Sequence, residues 1–270
     1  MKPKIAVHSA PRSGSTWLGS IFDSHPGVVY KYQPLFSYAL KGFITPTSTA
    51  SEIDEFFERL VIVKDHFMDQ QEAKRRGALP EFSKTRTPEA VVYKEVRYHH
   101  ILENLMSVHE DVKVVGLIRN PMATLCSWWK APREFRSDLG WKLEEEWLEA
   151  PSKNQNRPEE YYGYLKWKEI ALLFHKLQAN FDDRFYLLRY LDLLQDTEHV
   201  VEQLFRFCGL KVPPSTLDFI RLSKASDAAD AYSVFRSKMS DNAWKGIVPD
   251  AIVEHIRADL SGTVLEAYLE

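Results

Sequence analysis

The sequence predicts an α/β fold in which helices flank a central parallel sheet. Short apolar runs, such as residues 5–7 and 112–119, are typical of buried strands, and they alternate with segments whose apolar residues recur at helical spacing. Residues 90–119 hold a strand, a helix and a strand, which is the pattern of a βαβ unit with parallel strands. The chain has 270 residues and no repeat, low-complexity tract or linker, so we expect a single domain over residues 1–270.

The first predicted strand, residues 5–7, leads into a turn of sequence Pro-Arg-Ser-Gly-Ser-Thr at residues 11–16, and a helix follows. Such a loop can turn successive backbone N–H groups toward one point, and the helix N-terminus adds partial positive charge there. Arg12 adds a full charge, so we expect an anion at this turn. The turn lacks the first glycine and the lysine of the ATP/GTP P-loop, G-x-x-x-x-G-K-[ST], which indicates a phosphate loop of another kind.

The next predicted elements are a strand at 28–32 and an amphipathic helix at 52–70 that starts at Ser51. Residues 70–88 are charged and interrupted by glycine and prolines, which is typical of a surface loop or lid. The later predicted elements are a strand at 90–94, a helix at 101–108, a strand at 112–119, helices at 121–129 and 165–179, a strand at 185–188, a helix from Asp196 or Thr197 to Gly209, and a helix at 249–268.

A second anion site is predicted where the strand at 112–119 ends. Arg119 is the last residue of that strand, and Ser127 follows eight residues later, two turns into the next helix. A guanidinium can bind a phosphate through two hydrogen bonds, and a serine hydroxyl can satisfy a remaining phosphate oxygen. The two side chains come from separate elements and can converge on one phosphate.

Residues 130–168 contain several tryptophans among charged residues and prolines. One interpretation is a set of helices that pack over the edge of the sheet. A second makes part of residues 130–162 a cap that binds an acceptor substrate. Both interpretations remain open at the level of the sequence.

The formal net charge is −3, which excludes the globally basic surface of a nonspecific nucleic-acid-binding protein. Any anion site must therefore be local. Cys126 and Cys208 both lie in apolar helical segments, so neither a disulfide framework nor a cysteine metal site is expected. The first strand begins within about five residues of Met1, which leaves no room for a signal peptide or membrane anchor, so we expect a cytoplasmic protein without integral membrane contact.

The two predicted anion sites carry a specific resemblance. Residues 11–18, Pro-Arg-Ser-Gly-Ser-Thr-Trp-Leu, resemble the 5′-phosphosulfate loop of sulfotransferases that use 3′-phosphoadenosine 5′-phosphosulfate (PAPS), in the form found in carbohydrate sulfotransferases. Residues 119–121, Arg-Asn-Pro, together with Ser127 resemble the 3′-phosphate motif of the same family, in which a serine follows the strand-ending arginine by eight positions. Both motifs occur in the order typical of the family.

Three further segments extend the resemblance over most of the chain. Residues 93–97, Tyr-Lys-Glu-Val-Arg, resemble the Lys-x-Val-Arg strand of Golgi carbohydrate 6-O-sulfotransferases. Residues 188–194 resemble the family's Arg-Tyr-Glu-Asp-Leu segment, a likeness that implies a position near the adenine for Tyr190. Residues 237–245, which end in Trp-Lys, are similar to the C-terminal stretch that closes over the nucleotide.

The resemblance implies a nucleotide-kinase-like sulfotransferase fold. It also implies in-line transfer of a sulfuryl group from PAPS to a hydroxyl of a carbohydrate, a glycoconjugate or another small molecule, without a required metal and with 3′-phosphoadenosine 5′-phosphate (PAP) as product. The candidate cofactor-binding residues are Arg12, Ser13, Gly14, Ser15, Thr16, Trp17, Arg119, Ser127, Tyr190, Trp244 and Lys245. The candidate catalytic residues are Arg12, Gln33, Lys94 and Arg97.

The roles of these catalytic candidates follow from charge. Arg12 is expected to stabilise the leaving 5′-phosphate. Lys94 and Arg97 either help to hold the sulfonate or the acceptor, or face solvent at the end of a strand. Acceptor specificity is expected in the loops at 34–50, 70–88 and 130–162.

Gln33 departs from the family pattern. Carbohydrate members carry Glu-Pro after the first helix, with the glutamate as the expected proton acceptor, whereas this chain has Gln33-Pro34. An amide cannot accept that proton, although it can orient a hydroxyl. Three explanations remain open: an engineered Glu→Gln change, a natural enzyme with another base, or a protein that binds the nucleotide and turns it over poorly. The substitute bases are Glu95, His99, His100 and His66.

Two alternative functions follow from these departures. A catalytically silent PAPS- or PAP-binding protein is consistent with Gln33. An ATP-dependent kinase would require magnesium and a triphosphate, and the missing P-loop lysine argues against it.

Overall fold

The computed structural model describes residues 2–226, 232–235, 237 and 240–270. Its centre is a five-stranded sheet with the order β2-β3-β1-β4-β5, in which all neighbouring strands are parallel. The strands are β1 (Lys4–Ser9), β2 (Val28–Tyr32), β3 (Ala90–Glu95), β4 (Val112–Ile118) and β5 (Phe185–Arg189). The predicted central parallel sheet is therefore confirmed.

Helices cover both faces of this sheet. They are α1 (Ser15–Asp23), α2 (Ala50–Ile62), α3 (Gln71–Arg75), α4 (Leu102–Val108), α5 (Pro121–Trp129), α6 (Leu143–Glu146), α7 (Pro151–Asn154), α8 (Tyr164–Asn180), α9 (Tyr190–Gln195), α10 (Thr197–Phe207), α11 (Pro214–Ala225) and α12 (Asp250–Leu260). Short 3-10 turns lie at Pro34–Phe36, His99–Ile101, Ser137–Leu139 and Val264–Tyr268. In the described part of the chain, none of these helices is both long and apolar enough to cross a membrane.

The position of β1 in the centre of the sheet determines where the loops meet. It pairs with β3 on one side and with β4 on the other, so the predicted βαβ strands are parallel but separated by β1. Because all five strands run in the same direction, their carboxyl ends share one edge of the sheet. The residues that follow the five strands, and therefore lie at that edge, include Arg12, Gln33, Arg97, Arg119 and Tyr190.

The sheet separates two hydrophobic cores. Ala6 faces a core that includes residues of α2, α4, α5, α8 and α12, while its neighbours Ile5 and Val7 face a core that includes residues of α1, α10 and α11. This alternation follows from the two-residue period of a strand. In the second core Phe22 stacks on Phe205 with ring centroids 5.1 Å apart. Burial on both faces is typical of a parallel sheet.

The helix predicted at 52–70 has different ends in the structure. It begins at Ala50, and its N-cap is Thr49 rather than Ser51. The Thr49 hydroxyl accepts a hydrogen bond from the Glu52 N–H, and the Glu52 carboxylate accepts one from the Thr49 N–H. This reciprocal capping box satisfies two N–H groups that the helix leaves unpaired, which a cap at Ser51 would not do.

The same helix ends at Ile62, and residues 63–70 do not continue it. The Asp65 carboxylate accepts hydrogen bonds from the N–H groups of Phe67 and Met68, both at 2.9 Å. This local turn satisfies backbone groups that a continued helix would use, so it competes with the helix.

Other element boundaries also differ from the prediction. The segment at 70–88, predicted as a loop, contains the short helix α3, and α11 corresponds to no predicted element. The final predicted helix at 249–268 stops at Leu260, because Ser261 has an extended backbone, with a ψ of 133°, that takes the chain out of the helix.

The capping box provides a test of the revised helix start. We expect Thr49→Ala to lower the free energy of unfolding by about 1 kcal/mol, because the hydroxyl that satisfies the Glu52 N–H is lost. Urea denaturation monitored by circular dichroism measures the change. Ser51→Ala is the matched control and should leave the midpoint unchanged. If Ser51→Ala lowered the free energy of unfolding as much as Thr49→Ala, Ser51 would be the N-cap, as the sequence predicts.

Candidate active site

A cleft with a volume of about 1010 Å³ lies at the carboxyl edge of the sheet. Eight lysine and arginine side chains line it, against two glutamates, Glu72 and Glu134, among the lining residues of the described chain. The cationic residues are Arg12, Arg76, Lys94, Arg97, Arg119, Lys130, Arg133 and Lys153. Positive charge is thus concentrated in one place in a chain of net charge −3, as expected for a local anion site.

The loop between β1 and α1 has a backbone shape that depends on glycine. Gly14 has a φ of 87°, and a Cβ atom at this position would lie 2.4 Å from the ring of Tyr190. Arg12 also has a positive φ, of 67°, which an arginine adopts only at some cost in free energy. The loop therefore combines a strained arginine with a glycine that allows Tyr190 to pack directly on the backbone.

The beginning of α1 presents unpaired hydrogen-bond donors. No described residue accepts a hydrogen bond from the backbone N–H groups of residues 13–16. The buried hydroxyl of Ser13 also lacks a partner. Because a helix N-terminus carries partial positive charge, these groups together fit an anion such as a phosphate.

Arg12 connects this loop to α5 and to the segment that follows it. Its Nε donates to the Ser127 hydroxyl at 3.3 Å, and its Nη1 donates to Oε1 of Glu134 at 3.2 Å. The guanidinium also lies 5.2 Å from the centre of the Tyr232 ring. Arg12 is therefore held at the edge of the cleft by side chains from outside the loop.

Arg119 lies beside the same loop. Its Nε donates to Oδ1 of Asp241 at 2.6 Å, and its Nη1 donates to the backbone carbonyl of Arg12 at 3.2 Å. The guanidinium lies 4.6 Å from the centre of the Tyr190 ring. Tyr190 thus packs between the glycine of the loop and the second arginine, and it brings the two predicted anion sites next to each other.

Lys94, near the end of β3, is buried at the floor of the cleft. Its Nζ lies 4.1 Å from the centre of the Tyr32 ring. Burial lowers the pKa of Lys94 to about 7, although the carboxylates of Glu95 and Glu134 oppose the shift. An anion bound in the cleft would favour the charged form of this lysine.

Gln33 and Arg97 form a buried pair on the other side of Lys94. Arg97 donates from Nη1 to Oε1 of Gln33 at 2.8 Å and from Nε to Oε1 of Glu160 at 3.0 Å. The backbone N–H of Gln33 donates to the carbonyl of Lys94 at 2.7 Å. Because a carboxamide is not basic near neutral pH, Gln33 cannot take up a proton, and its oxygen instead accepts a hydrogen bond from Arg97.

The comparisons with known proteins agree with this geometry. Residues 3–214 match the model of the sulfotransferase family, which is well over half of the chain. The chain belongs to the sulfotransferase family. Mouse carbohydrate sulfotransferase 5 is 24% identical to this sulfotransferase over 315 aligned positions, which cover 97% of this chain and 79% of the mouse protein.

Solved structures of other proteins, two of them named sulfotransferases, share the fold of this sulfotransferase. Mouse sulfotransferase SULT7A1 complexed with PAP superposes with a TM-score of 0.61 at 15% identity, covering 100% of this chain and 88% of that chain. A sulfotransferase from Alicyclobacillus acidocaldarius superposes with a TM-score of 0.54 at 16% identity, covering 100% of this chain and 95% of that chain. Retinol dehydratase in a complex with retinol and PAP superposes with a TM-score of 0.55 at 15% identity, covering 98% of this chain and 83% of that chain. The predicted sulfotransferase fold is therefore confirmed.

Most of the predicted site residues of the sulfotransferase line the cleft. Those that do are Arg12, Gly14, Ser15, Thr16, Trp17, Gln33, Lys94, Arg97, Arg119, Ser127, Tyr190 and Trp244. Ser13 contributes its backbone to the loop but does not line the cleft, and its side chain is buried. Lys245 is exposed outside the lining, with its Nζ 5.8 Å from the Trp244 ring. Residues 238 and 239 of the predicted closing stretch lie outside the described residues.

The four substitute bases have different positions. Glu95 is fully buried, does not line the cleft, and accepts a hydrogen bond from the Leu35 N–H at 2.8 Å. Burial raises the pKa of Glu95 to about 8. His99 is also buried, with its Nδ1 3.1 Å from Nδ1 of His8, while His100 is exposed outside the cleft lining. His66 alone among the four lines the cleft.

Glu134 and Tyr162 are among the cleft residues of the sulfotransferase that were not predicted individually. The hydroxyl of Tyr162 donates to Oε2 of Glu134 at 2.8 Å, and both side chains line the cleft. They belong to the segment 130–162, which also supplies Lys130, Arg133 and Lys153 to the lining. The only signal in the sequence was the interpretation of that segment as an acceptor cap. Among the described residues, no group of three or more metal-ligating side chains is close enough to hold a metal ion.

The buried Lys94 predicts a pH dependence of stability. Its folded-state pKa of about 7 lies below the ordinary value of 10.5, so between these values the unfolded chain binds a proton that the folded protein does not. The free energy of unfolding of the wild type should therefore rise with pH across this window, relative to Lys94→Met. Urea denaturation of both proteins over that range measures the difference.

The control is Lys168→Met, which removes a partly exposed lysine in a salt bridge with Asp259. The difference in free energy of unfolding between the wild type and Lys168→Met should not rise with pH, over the same window, as much as the difference between the wild type and Lys94→Met. Parallel stability profiles for the wild type and Lys94→Met would contradict the lowered pKa of Lys94.

Proposed function

We propose that this sulfotransferase uses PAPS as the sulfuryl donor and transfers the group to a hydroxyl of a carbohydrate or glycoconjugate, with PAP as the second product. One observation supports this most strongly. The unpaired N–H groups of residues 13–16 lie at one edge of the sheet, and the side chains of Arg12 and Arg119 lie at the same edge, around Tyr190. A nucleotide with phosphates at both its 5′ and 3′ positions matches two adjacent cationic sites beside an aromatic ring.

PAPS supplies an activated sulfuryl group, and the residues of the chain bind and orient it. In this proposal the N–H groups of residues 13–16 and Arg12 hold the 5′-phosphosulfate, while Arg119 and Ser127 hold the 3′-phosphate. Tyr190 and Trp244 lie against the adenosine. Charge that develops on the leaving phosphate is stabilised by donors that are already in place, which is the main catalytic effect expected in group transfer of this kind.

The acceptor is proposed to enter beside Lys94 and Arg97. The predicted acceptor segments 34–50, 70–88 and 130–162 all contribute residues to the cleft. On that side, the Tyr32 and Phe67 rings lie 5.3 Å apart, a surface on which a sugar ring or an apolar group can pack. The similarity to a carbohydrate sulfotransferase favours a sugar hydroxyl, with a lipid or another small alcohol as the alternative.

Calorimetric titration with PAP, and separately with ATP and magnesium, tests the donor. We expect tight binding of PAP in metal-free buffer and much weaker binding of ATP. Radiolabelled PAPS with a panel of sugars, alcohols and phenols then tests transfer to an acceptor. Binding of ATP alone would contradict the proposal.

Gln33 supports one competing function, a protein that binds the nucleotide without turnover. Its side-chain oxygen is occupied by Arg97, and it replaces the glutamate expected at this position in carbohydrate members. Tight PAP binding combined with no consumption of PAPS, with every acceptor of the panel, would favour this alternative.

The proposed 3′-phosphate site makes a specific prediction. Arg119→Ala should weaken PAP binding by about 10- to 100-fold, because a charged hydrogen-bond donor to the phosphate is lost. Binding of adenosine 5′-phosphate, which lacks the 3′-phosphate, should change far less, and calorimetry measures both. Arg221→Ala, which removes an exposed arginine, is the control and should bind both ligands normally. Equal losses for the two nucleotides would remove Arg119 from the 3′-phosphate site.

A further inference from the structure

The cleft contains two carboxylates in the described part of the chain, and they differ in their surroundings. Glu72 lies on α3, where it pairs with Arg75 and Arg76 of the same helix, and its side chain is 66% exposed. Glu134 is 23% exposed and makes its contacts with residues distant in the sequence. Of the two, Glu134 is the carboxylate built into the site.

Two hydrogen bonds locate the Glu134 carboxylate. Oε1 accepts from Arg12 of the anion-binding loop at 3.2 Å, and Oε2 accepts from the Tyr162 hydroxyl at 2.8 Å. The Tyr162 ring lies 6.0 Å from the Arg97 guanidinium, which follows β3, and burial together with the negative charge of Glu134 raises the pKa of Tyr32. The carboxylate thus lies between the loop that would hold the donor and the strand end where the acceptor would enter.

We infer that Glu134 is the proton acceptor of this sulfotransferase, taking the role that Gln33 cannot perform. This inference rests on the proposed function. As the acceptor oxygen forms its bond to sulfur, the bond between sulfur and the 5′-phosphate oxygen breaks, and PAP leaves with that electron pair. The acceptor hydroxyl gives its proton to Oε1 of Glu134, which later releases it to solvent.

The contact with Arg12 is consistent with this role. Arg12 and Glu134 neutralise each other in the cleft. A phosphosulfate group at the loop competes for Arg12, which frees Oε1, while the Tyr162 hydroxyl continues to hold Oε2. Binding of the donor therefore prepares the base, and donor binding should precede productive acceptor binding.

The test uses Glu134→Gln, which keeps the size of the side chain and a hydrogen-bond acceptor for Tyr162. PAP binding is measured by calorimetry, and PAPS turnover is measured with two kinds of acceptor. One kind, water or an alcohol of the panel, must lose a proton during transfer, whereas 4-nitrophenolate at alkaline pH has none to lose. The control is Glu198→Gln, which breaks a surface salt bridge with Arg221. That salt bridge has the same length, 3.2 Å, as the one between Arg12 and Glu134.

For Glu134→Gln we expect unchanged or tighter PAP binding, because a charge that competes for Arg12 is gone. Turnover with water or the alcohols should fall by about 10²- to 10⁴-fold, the usual contribution of a general base. Transfer to 4-nitrophenolate should fall far less. Glu198→Gln should match the wild type in all three measurements.

Equal losses with both kinds of acceptor, or clearly weaker PAP binding, would overturn the inference and leave Glu134 as a residue that positions Arg12. Measurements on the wild type distinguish a failure of the proposed function from a failure of the base assignment. A wild-type protein that does not bind PAP, or that leaves PAPS intact with every acceptor, contradicts sulfuryl transfer and the base assignment together.

Discussion

The site depends on the compensation of two arginines by two carboxylates. Arg12 and Arg119 are close enough for the second to donate to the backbone carbonyl of the first, so their charges would repel without neighbouring anions. Glu134 pairs with Arg12 and Asp241 pairs with Arg119, and both pairs are only partly accessible to solvent. The Asp241 carboxylate holds Arg119 in a fixed position, which reduces the conformational entropy that an anionic ligand must remove on binding there.

The sheet explains why these charges can meet. Parallel strands direct all their following loops to one edge, and both faces of this sheet are covered by apolar cores. The edge is therefore a natural place for polar groups that the cores exclude. Lys94 shows the limit of this arrangement, because it lies deep enough for burial to lower its pKa substantially.

Local patterns in the sequence predicted the strands well and marked the two candidate anion motifs, since apolar runs and a small-residue turn depend on neighbouring residues. Glu134, Tyr162 and Asp241 carry no such pattern, because their roles come from contacts with residues over 25 positions away. The start of α2 was misplaced for a related reason: Thr49 and Ser51 are both good caps, and only the reciprocal bond with Glu52 decides between them. The burial of Glu95, which leaves it out of the cleft lining, is equally a tertiary property.

The packing of Tyr190 on Gly14 links the beginning of the chain to a residue near its three-quarter point. Tyr190 directly follows β5, which is the last strand to join the sheet in chain order. During synthesis, the loop at residues 10–14 leaves the ribosome long before the ring that supports it. The nascent chain therefore carries its anion-binding segment without this support until β5 pairs with β4. The proposed nucleotide site is thus complete only when the last strand has joined the sheet.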